Sequence, residues 1–146
     1  MTNKAKKIGV LTSGGDSPGM NAALRAVVRS SEYHNIECFG IYKGYEGLIS
    51  DNVKRLNARS VKNIINKGGT ILKSARCKEF MTIEGRKKAK KTIDKYEIDS
   101  LVVIGGNGSL EGAKVFQEEH QVNVVGIPGT IDKIGRAHVW TPSHQI

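Results

Sequence analysis

The stretch Ser100-Leu-Val-Val-Ile-Gly-Gly-Asn-Gly-Ser109 constrains the fold more than any other part of the chain. Its first half is short and continuously apolar, the pattern of a parallel strand covered on both faces rather than of a half-exposed one. Gly105, Gly106 and Gly108 follow at once, and a sequence with helical spacing begins at Ser109. A strand end, glycines and a helix start together let backbone amides approach a ligand where side chains would intrude, with the positive end of the helix turned to the same place. This predicts an anion site, with phosphate as the anion. A tight turn that binds nothing is the simpler reading for three glycines in isolation, so the other turns of the chain decide.

The first strand is predicted over residues 7–12, and Ser13-Gly-Gly-Asp-Ser-Pro-Gly-Met-Asn21 is the turn after it. A helix follows in which Met20, Ala23, Leu24, Val27 and Val28 share one face, while Arg25 and Arg29 lie off that stripe, one turn apart. The turn lacks the Gly-Lys-Ser/Thr ending of a Walker A loop and is not GxGxxG. A second strand is expected over 36–42, broken by Gly44-Tyr-Glu-Gly47, with a polar connection and a potential hairpin over 48–57. A short helix over 60–66 ends at Gly68-Gly69, and residues 70–76 read as extended or irregular. A basic helix spans 82–96, with Ala89, Ile93 and Tyr96 on one side and its cationic residues in water. The helix 109–118 and a fourth strand over 122–127 complete the pattern.

Strands alternating with helices over short connections predict an α/β fold with a parallel sheet, whose ligands bind outside the carboxyl ends of the strands. Glycine-rich or polar turns stand at three such ends, 13–19, 105–109 and 128–132. Three at one edge point to a phosphorylated ligand, most economically a nucleotide.

At 146 residues the chain has a one-domain length, and 38% hydrophobic with 25% charged residues is ordinary for a soluble globular protein. No apolar run approaches a membrane span, and the basic start has too short an apolar run behind it for a signal peptide, so a cytoplasmic protein with no membrane partner is expected. Cys38 and Cys77 show no CxxC pairing and read as free thiols. The excess of 23 basic over 14 acidic residues, net +9, is densest in Arg86-Lys-Lys-Ala-Lys-Lys91. With few aromatics to stack bases, it reads first as a solvated helix face, then as steering of phosphorylated small molecules, and only third as a nucleic-acid surface. No nucleic-acid partner is expected.

Taken together, Ile8-Gly-Val-Leu-Thr-Ser-Gly-Gly-Asp-Ser-Pro-Gly-Met-Asn-Ala-Ala23, Gly68-Gly-Thr70 with Ser74-Ala-Arg76, Ile104-Gly-Gly-Asn-Gly-Ser109 and Gly126-Ile-Pro-Gly-Thr-Ile-Asp132 closely resemble the amino-terminal part of the ATP-dependent 6-phosphofructokinase family. The resemblance covers about residues 7–132, in order and at the family's spacing. It implies a Rossmann-like parallel sheet flanked by helices, a nucleotide-binding domain over 1–132, and transfer of the γ-phosphoryl group of ATP to the 1-hydroxyl of fructose 6-phosphate, with Mg2+ as cofactor. By resemblance, Gly14 lies against the γ-phosphate, Arg76 stabilises the transferring group, and Gly106, Gly108 and Ser109 hold nucleotide phosphates. Tyr45, Cys77 and Asn107 join the ATP-binding set, Thr130 and Asp132 belong to the sugar side, and Asp132 is the base. Glycine at 108 favours ATP over pyrophosphate as donor. Arg25 and Arg29, with Arg59 in place of an arginine expected one position earlier, match a site for an ADP-type effector. Full-length members are implied to be homo-oligomers, as tetramers. These roles suit phosphoryl transfer, which asks for positioning, spread of negative charge and one carboxylate near the nucleophile. Without the resemblance, Arg76 reads equally as a surface ion-pair partner and Asp132 as a turn former.

Two departures stand out. Asn107 occupies the place of an aspartate that serves magnesium in the family pattern, and a neutral amide is a weaker partner for a hard cation. After Asp132, residues 133–146 match nothing expected of the family and read as an out-of-family, artefactual tail. The expectation is therefore a truncated chain, inactive by itself. A nucleotide-binding module without kinase activity is the first alternative. A dinucleotide domain is disfavoured because Glu111 stands where GxGxxG requires glycine.

Overall fold

The computed structural model describes residues 6–14 and 19–129. In chain order the elements are β1 (Lys7–Ser13), α1 (Met20–Tyr33), β2 (Glu37–Ile41), α2 (Gly44–Ser50), β3 (Val53–Leu56), two 3-10 turns (Ala58–Val61 and Lys78–Met81), α3 (Ile83–Lys95), β4 (Ser100–Gly105), α4 (Asn107–His120) and β5 (Asn123–Pro128). They build a five-stranded sheet in the order β3-β2-β1-β4-β5. β1 pairs in parallel with both β2 and β4, and β4 with β5.

After β1 the chain moves outward through β2 to β3, then returns to place β4 on the other side of β1. The strand order thus reverses between β1 and β4. In open α/β sheets such a reversal leaves a crevice outside the carboxyl ends of the two strands, because the helices that follow them leave toward opposite faces. That divergence is visible in the core. On one face Val10, Val102 and Ile104 pack with Met20, Leu24 and Val28 of α1 and with Val61 and Leu72. On the other, Leu11, Leu101 and Val103 pack with Leu48 of α2, Ala89 and Ile93 of α3, and Ala113 and Phe116 of α4. Alternate residues over Leu101–Ile104 go to opposite faces and all four are buried, as a continuously apolar strand requires.

The α/β class holds, with corrections in the middle of the chain. The sheet is mixed, since β3 runs antiparallel to β2, with Cys38 opposite Leu56 and Ile41 opposite Val53. The segment expected to break the second strand is helix α2, entered and left through left-handed residues Lys43 and Asp51, with φ of 65° at each. The short helix expected over 60–66 is instead the 3-10 turn Ala58–Val61, closed by a reciprocal pair between Asn57 and Ser60. That capping box opens the turn at its amino end, and the turn stops at Lys62, whose backbone is extended with ψ of 133°. The basic helix matches its predicted bounds closely, because Thr82 caps it by accepting from Gly85 N.

Arg86 is a correction to the picture of a wholly solvated basic face. Its side chain is only 11% exposed, and its Nε donates to Glu119 Oε1 at 2.6 Å while Nη1 donates to the Phe80 carbonyl at 3.0 Å. The hydrogen bond from Arg86 holds the Glu119 carboxyl below the ordinary glutamate range. A carboxylate whose pKa falls on folding contributes stability that is present above the unfolded value and is lost as pH falls through the folded one. The fold should therefore weaken as pH falls below about 4.3. Arg86→Gln should flatten the Glu119 part of that decline, as read from denaturant midpoints between neutral and acid pH.

Candidate functional site

The carboxyl ends of β1 and β4 lie side by side, with Ser13 directly opposite Gly105. A Cβ at Gly105 would stand 2.5 Å from the Ser13 carbonyl oxygen and 3.0 Å from Ser109 Cβ, so the two strand ends approach this closely only because residue 105 is glycine. Above them, Ser109 Oγ donates to Ser13 Oγ at 2.8 Å and joins the first turn of α4 to the end of β1. Gly14 turns away in the left-handed region, with φ of 91°, beneath Ser109 and the Gly106 amide. β5 ends beside them, where Gly129 N donates to the Gly105 carbonyl at 2.9 Å.

Helix α4 starts at Asn107, two residues earlier than its spacing predicts, and this matters chemically. The first helical hydrogen bond runs from Leu110 N to the Gly106 carbonyl, so the amides of Asn107, Gly108 and Ser109 precede the helical ladder. Gly106 at the cap offers no side-chain acceptor, and the first turn carries no acidic residue. A Cβ at Gly106 or at Gly108 would meet nothing within 4 Å. The turn is therefore an open cradle of amides with the positive helix end behind it, an arrangement that suits phosphate oxygens.

A third wall comes from residues 67–76, which the structure ties to β1 and α1 through buried polar groups. Thr12 Oγ1 donates to the Lys73 carbonyl at 3.0 Å and lies 2.9 Å from Thr70 Oγ1, which accepts from Leu72 N. Asn21, fully buried, accepts from Ile71 N and donates to the Lys67 carbonyl. Ser74 Oγ donates to the Gly14 carbonyl at 2.6 Å. Arg76, exposed, and Cys77, half-buried, follow Ser74 by two and three residues. Burial raises the Cys77 thiol above its ordinary pKa, which argues for a protonated group rather than a nucleophile. Thr12, Thr70 and Asn21 received no role from sequence; the available signal was Asn21 itself, a polar residue beside Met20 at the start of an apolar stripe.

Tyr45 reaches the start of α4 from α2. It is 6% exposed, its ring stacks on Phe80 at 3.9 Å, and its hydroxyl donates to the Ser109 carbonyl at 2.7 Å. Burial pushes its phenol well above the usual tyrosine pKa, so it remains a donor throughout the pH range of a folded protein. Asn107 is exposed on the first turn of α4. Among the described residues no group of three or more histidine, cysteine, aspartate or glutamate side chains is placed to hold a metal; Mg2+ needs no such cluster, since it is ordinarily held by one or two carboxylates together with substrate phosphates. Arg25 and Arg29 lie on α1, half-buried and exposed respectively, and Arg59 is exposed on the neighbouring 3-10 turn. That turn is anchored to the carboxyl end of α1, where Ala58 N donates to Glu32 Oε1. Thr130, Asp132 and the tail 133–146 lie outside the described residues. No helix among the described residues is long and apolar enough to cross a membrane.

Comparison with known proteins agrees with this geometry. The chain is 59% identical over 127 residues to an ATP-dependent 6-phosphofructokinase of Cytophaga hutchinsonii, covering 87% of this chain and 39% of that protein. It is 60% identical to the ATP-dependent 6-phosphofructokinase of Bacillus licheniformis over 127 residues, with 87% and 40% covered. The chain thus spans about two fifths of the length of the curated relatives it matches. Among solved structures, Pichia pastoris phosphofructokinase in the T-state superposes with a TM-score of 0.83 at 40% identity, over 91% of this chain and 16% of that one. A pyrophosphate-dependent phosphofructokinase from Marinobacter aquaeolei shares the fold, with a TM-score of 0.77 at 18% identity over 88% of this chain and 34% of that one. The sequence model described as Phosphofructokinase matches residues 7–133, and with the strand order, the paired strand ends and the amide cradle in agreement, the chain belongs to the phosphofructokinase family.

Proposed function

We propose that this chain forms the nucleotide side of an ATP-dependent 6-phosphofructokinase, a cytoplasmic glycolytic enzyme that phosphorylates fructose 6-phosphate to fructose 1,6-bisphosphate. The observation that carries this reading is the open amide cradle at the start of α4, set at the switch point between β1 and β4. In the proposed reaction Gly106, Gly108 and Ser109 hold the nucleotide phosphates, and the Gly14 turn lies against the γ-phosphate. Arg76 neutralises charge on the transferring group, a role supported by the contact of its near neighbour Ser74 with the Gly14 carbonyl. Thr130 orients the sugar, and Asp132 accepts the proton of the 1-hydroxyl as its oxygen bonds to phosphorus and ADP departs. Little covalent chemistry falls to the protein in such a transfer; positioning and charge stabilisation supply the rate. Cys77 and Asn107 line the nucleotide side. Arg25, Arg29 and Arg59 form a separate basic site suited to an ADP-type effector, and the full-length enzyme is a homo-oligomer.

A second reading concerns residues 1–146 assayed alone, and the amide cradle, which is built wholly from residues within them, favours it: ATP is bound without transfer to sugar. In-line transfer requires the hydroxyl to be held against the γ-phosphate, and small misplacements cost orders of magnitude in rate. Residues 1–146 should bind ATP in calorimetry and release no ADP in a fructose 6-phosphate-dependent manner. Absence of ATP binding would overturn the nucleotide assignment. Sugar-dependent ADP release that copurifies with the polypeptide would show that these residues suffice for catalysis.

A further inference from the structure

The first turn of α4 has little to hold it in shape. Its cap and second helical residue, Gly106 and Gly108, are both glycine, and no side chain caps it. Glycine costs up to about 1 kcal/mol relative to alanine in a helix, so this turn is weakly self-supporting. Two side chains from other elements hold it. Ser13 accepts from Ser109 Oγ, and Tyr45 donates to the Ser109 carbonyl.

Tyr45 is itself immobilised by a ring of contacts that closes on α4. Its ring lies parallel to Phe80 at 8°. Phe80 meets Phe116 of α4 edge-on at 5.4 Å, and its carbonyl accepts from Arg86 Nη1. The Arg86 guanidinium in turn holds Glu119 near the carboxyl end of α4. The circuit therefore passes from the end of α4 through α3, the 3-10 turn Lys78–Met81 and α2 to the start of α4. A buried tyrosine hydroxyl needs some acceptor. This one takes the third helical residue of the turn that forms the anion cradle.

We propose that Tyr45 is a positioning residue: its hydroxyl, locked by Phe80, Arg86 and Glu119, sets the first turn of α4 in the shape that receives phosphate. The shape is a property of the chain, and its consequence for ligand binding rests on the nucleotide reading above. Tyr45 acts through Ser109, while its buried ring contributes to the core.

Tyr45→Phe in the full 146-residue chain keeps the stacked ring and removes only the hydroxyl. Without ligand, amide exchange at Leu110 and through the next turn of α4 should accelerate about fivefold, the scale of one neutral hydrogen bond, while Val102 and Val103 in β4 stay unchanged. ATP affinity should fall about fivefold in parallel, with at most a small change in Tm. Phe80→Leu, which leaves the hydroxyl but removes its stacking partner, should give the same local exchange signature. Unchanged exchange at the start of α4 in Tyr45→Phe would overturn the proposal, and so would acceleration shared equally with β4. If the local signature is present but the unaltered chain binds no ATP, positioning stands and the nucleotide reading fails.

Discussion

Gly108→Asp should lower ATP affinity about 10²–10³-fold while making the protein slightly more stable, and the opposite signs are the useful part of the result. A Cβ at position 108 meets nothing within 4 Å, so the substitution requires no rearrangement. Replacing a helical glycine and adding an acid to the first turn of α4, which has none, should together stabilise by about 1 kcal/mol. The same carboxylate would face the phosphates in the amide cradle. Two unit charges about 4 Å apart repel by about 4 kcal/mol at an effective dielectric of about 20, before relaxation and screening reduce the figure. Calorimetric titration with ATP beside a thermal melt measures both quantities. Unchanged ATP affinity would remove the nucleotide phosphates from this turn.

Gly105→Ala and Gly106→Ala should part in the opposite way although the residues are adjacent. At Gly105 the added methyl would stand 2.5 Å from the Ser13 carbonyl oxygen, a backbone atom fixed in the β1–β4 ladder. Relief requires the strand ends to separate, and overpacking of this kind should cost about 3 kcal/mol, or roughly 10 °C in Tm. At Gly106 the methyl enters open space, and its φ of −92° suits any residue. Stability should hold within about 0.5 kcal/mol there. ATP binding should nevertheless weaken, because the methyl occupies the cradle. Equal stability losses in the two variants would mean that the close approach of β1 to β4 is not what glycine at 105 serves.

Much of this architecture was legible in the chain. The run 101–104 is apolar at every position, which only a strand covered on both faces tolerates, and the structure buries all four residues. The bounds of the basic helix were legible from the spacing of Ala89, Ile93 and Tyr96, and the Thr82 cap that starts it is a local interaction between near neighbours. The turns 13–19 and 105–109 marked two strand ends, and only together with residues 68–76 and 126–132 were the motifs specific enough to name the family. Segments with weak local signals were less legible: α2 and β3 carry two glycines and a polar run, and they are held by packing across the sheet rather than by their own propensity.

Local sequence thus determined the strand-turn-helix units and the residue types at the carboxyl ends of β1 and β4, since periodicity, glycine and caps act over a few residues. Only the tertiary structure decided which of those units stand together. The placement of β4 against β1, which makes two turns about 90 residues apart into one site, depends on sheet order. The burial of Arg86 on Glu119 and the turning of Tyr45 toward Ser109 depend on helices packed from distant parts of the chain. Arg86, which read as a solvated cation, is buried on Glu119 because a long side chain's environment is set by what is packed against it, and sequence spacing does not encode that.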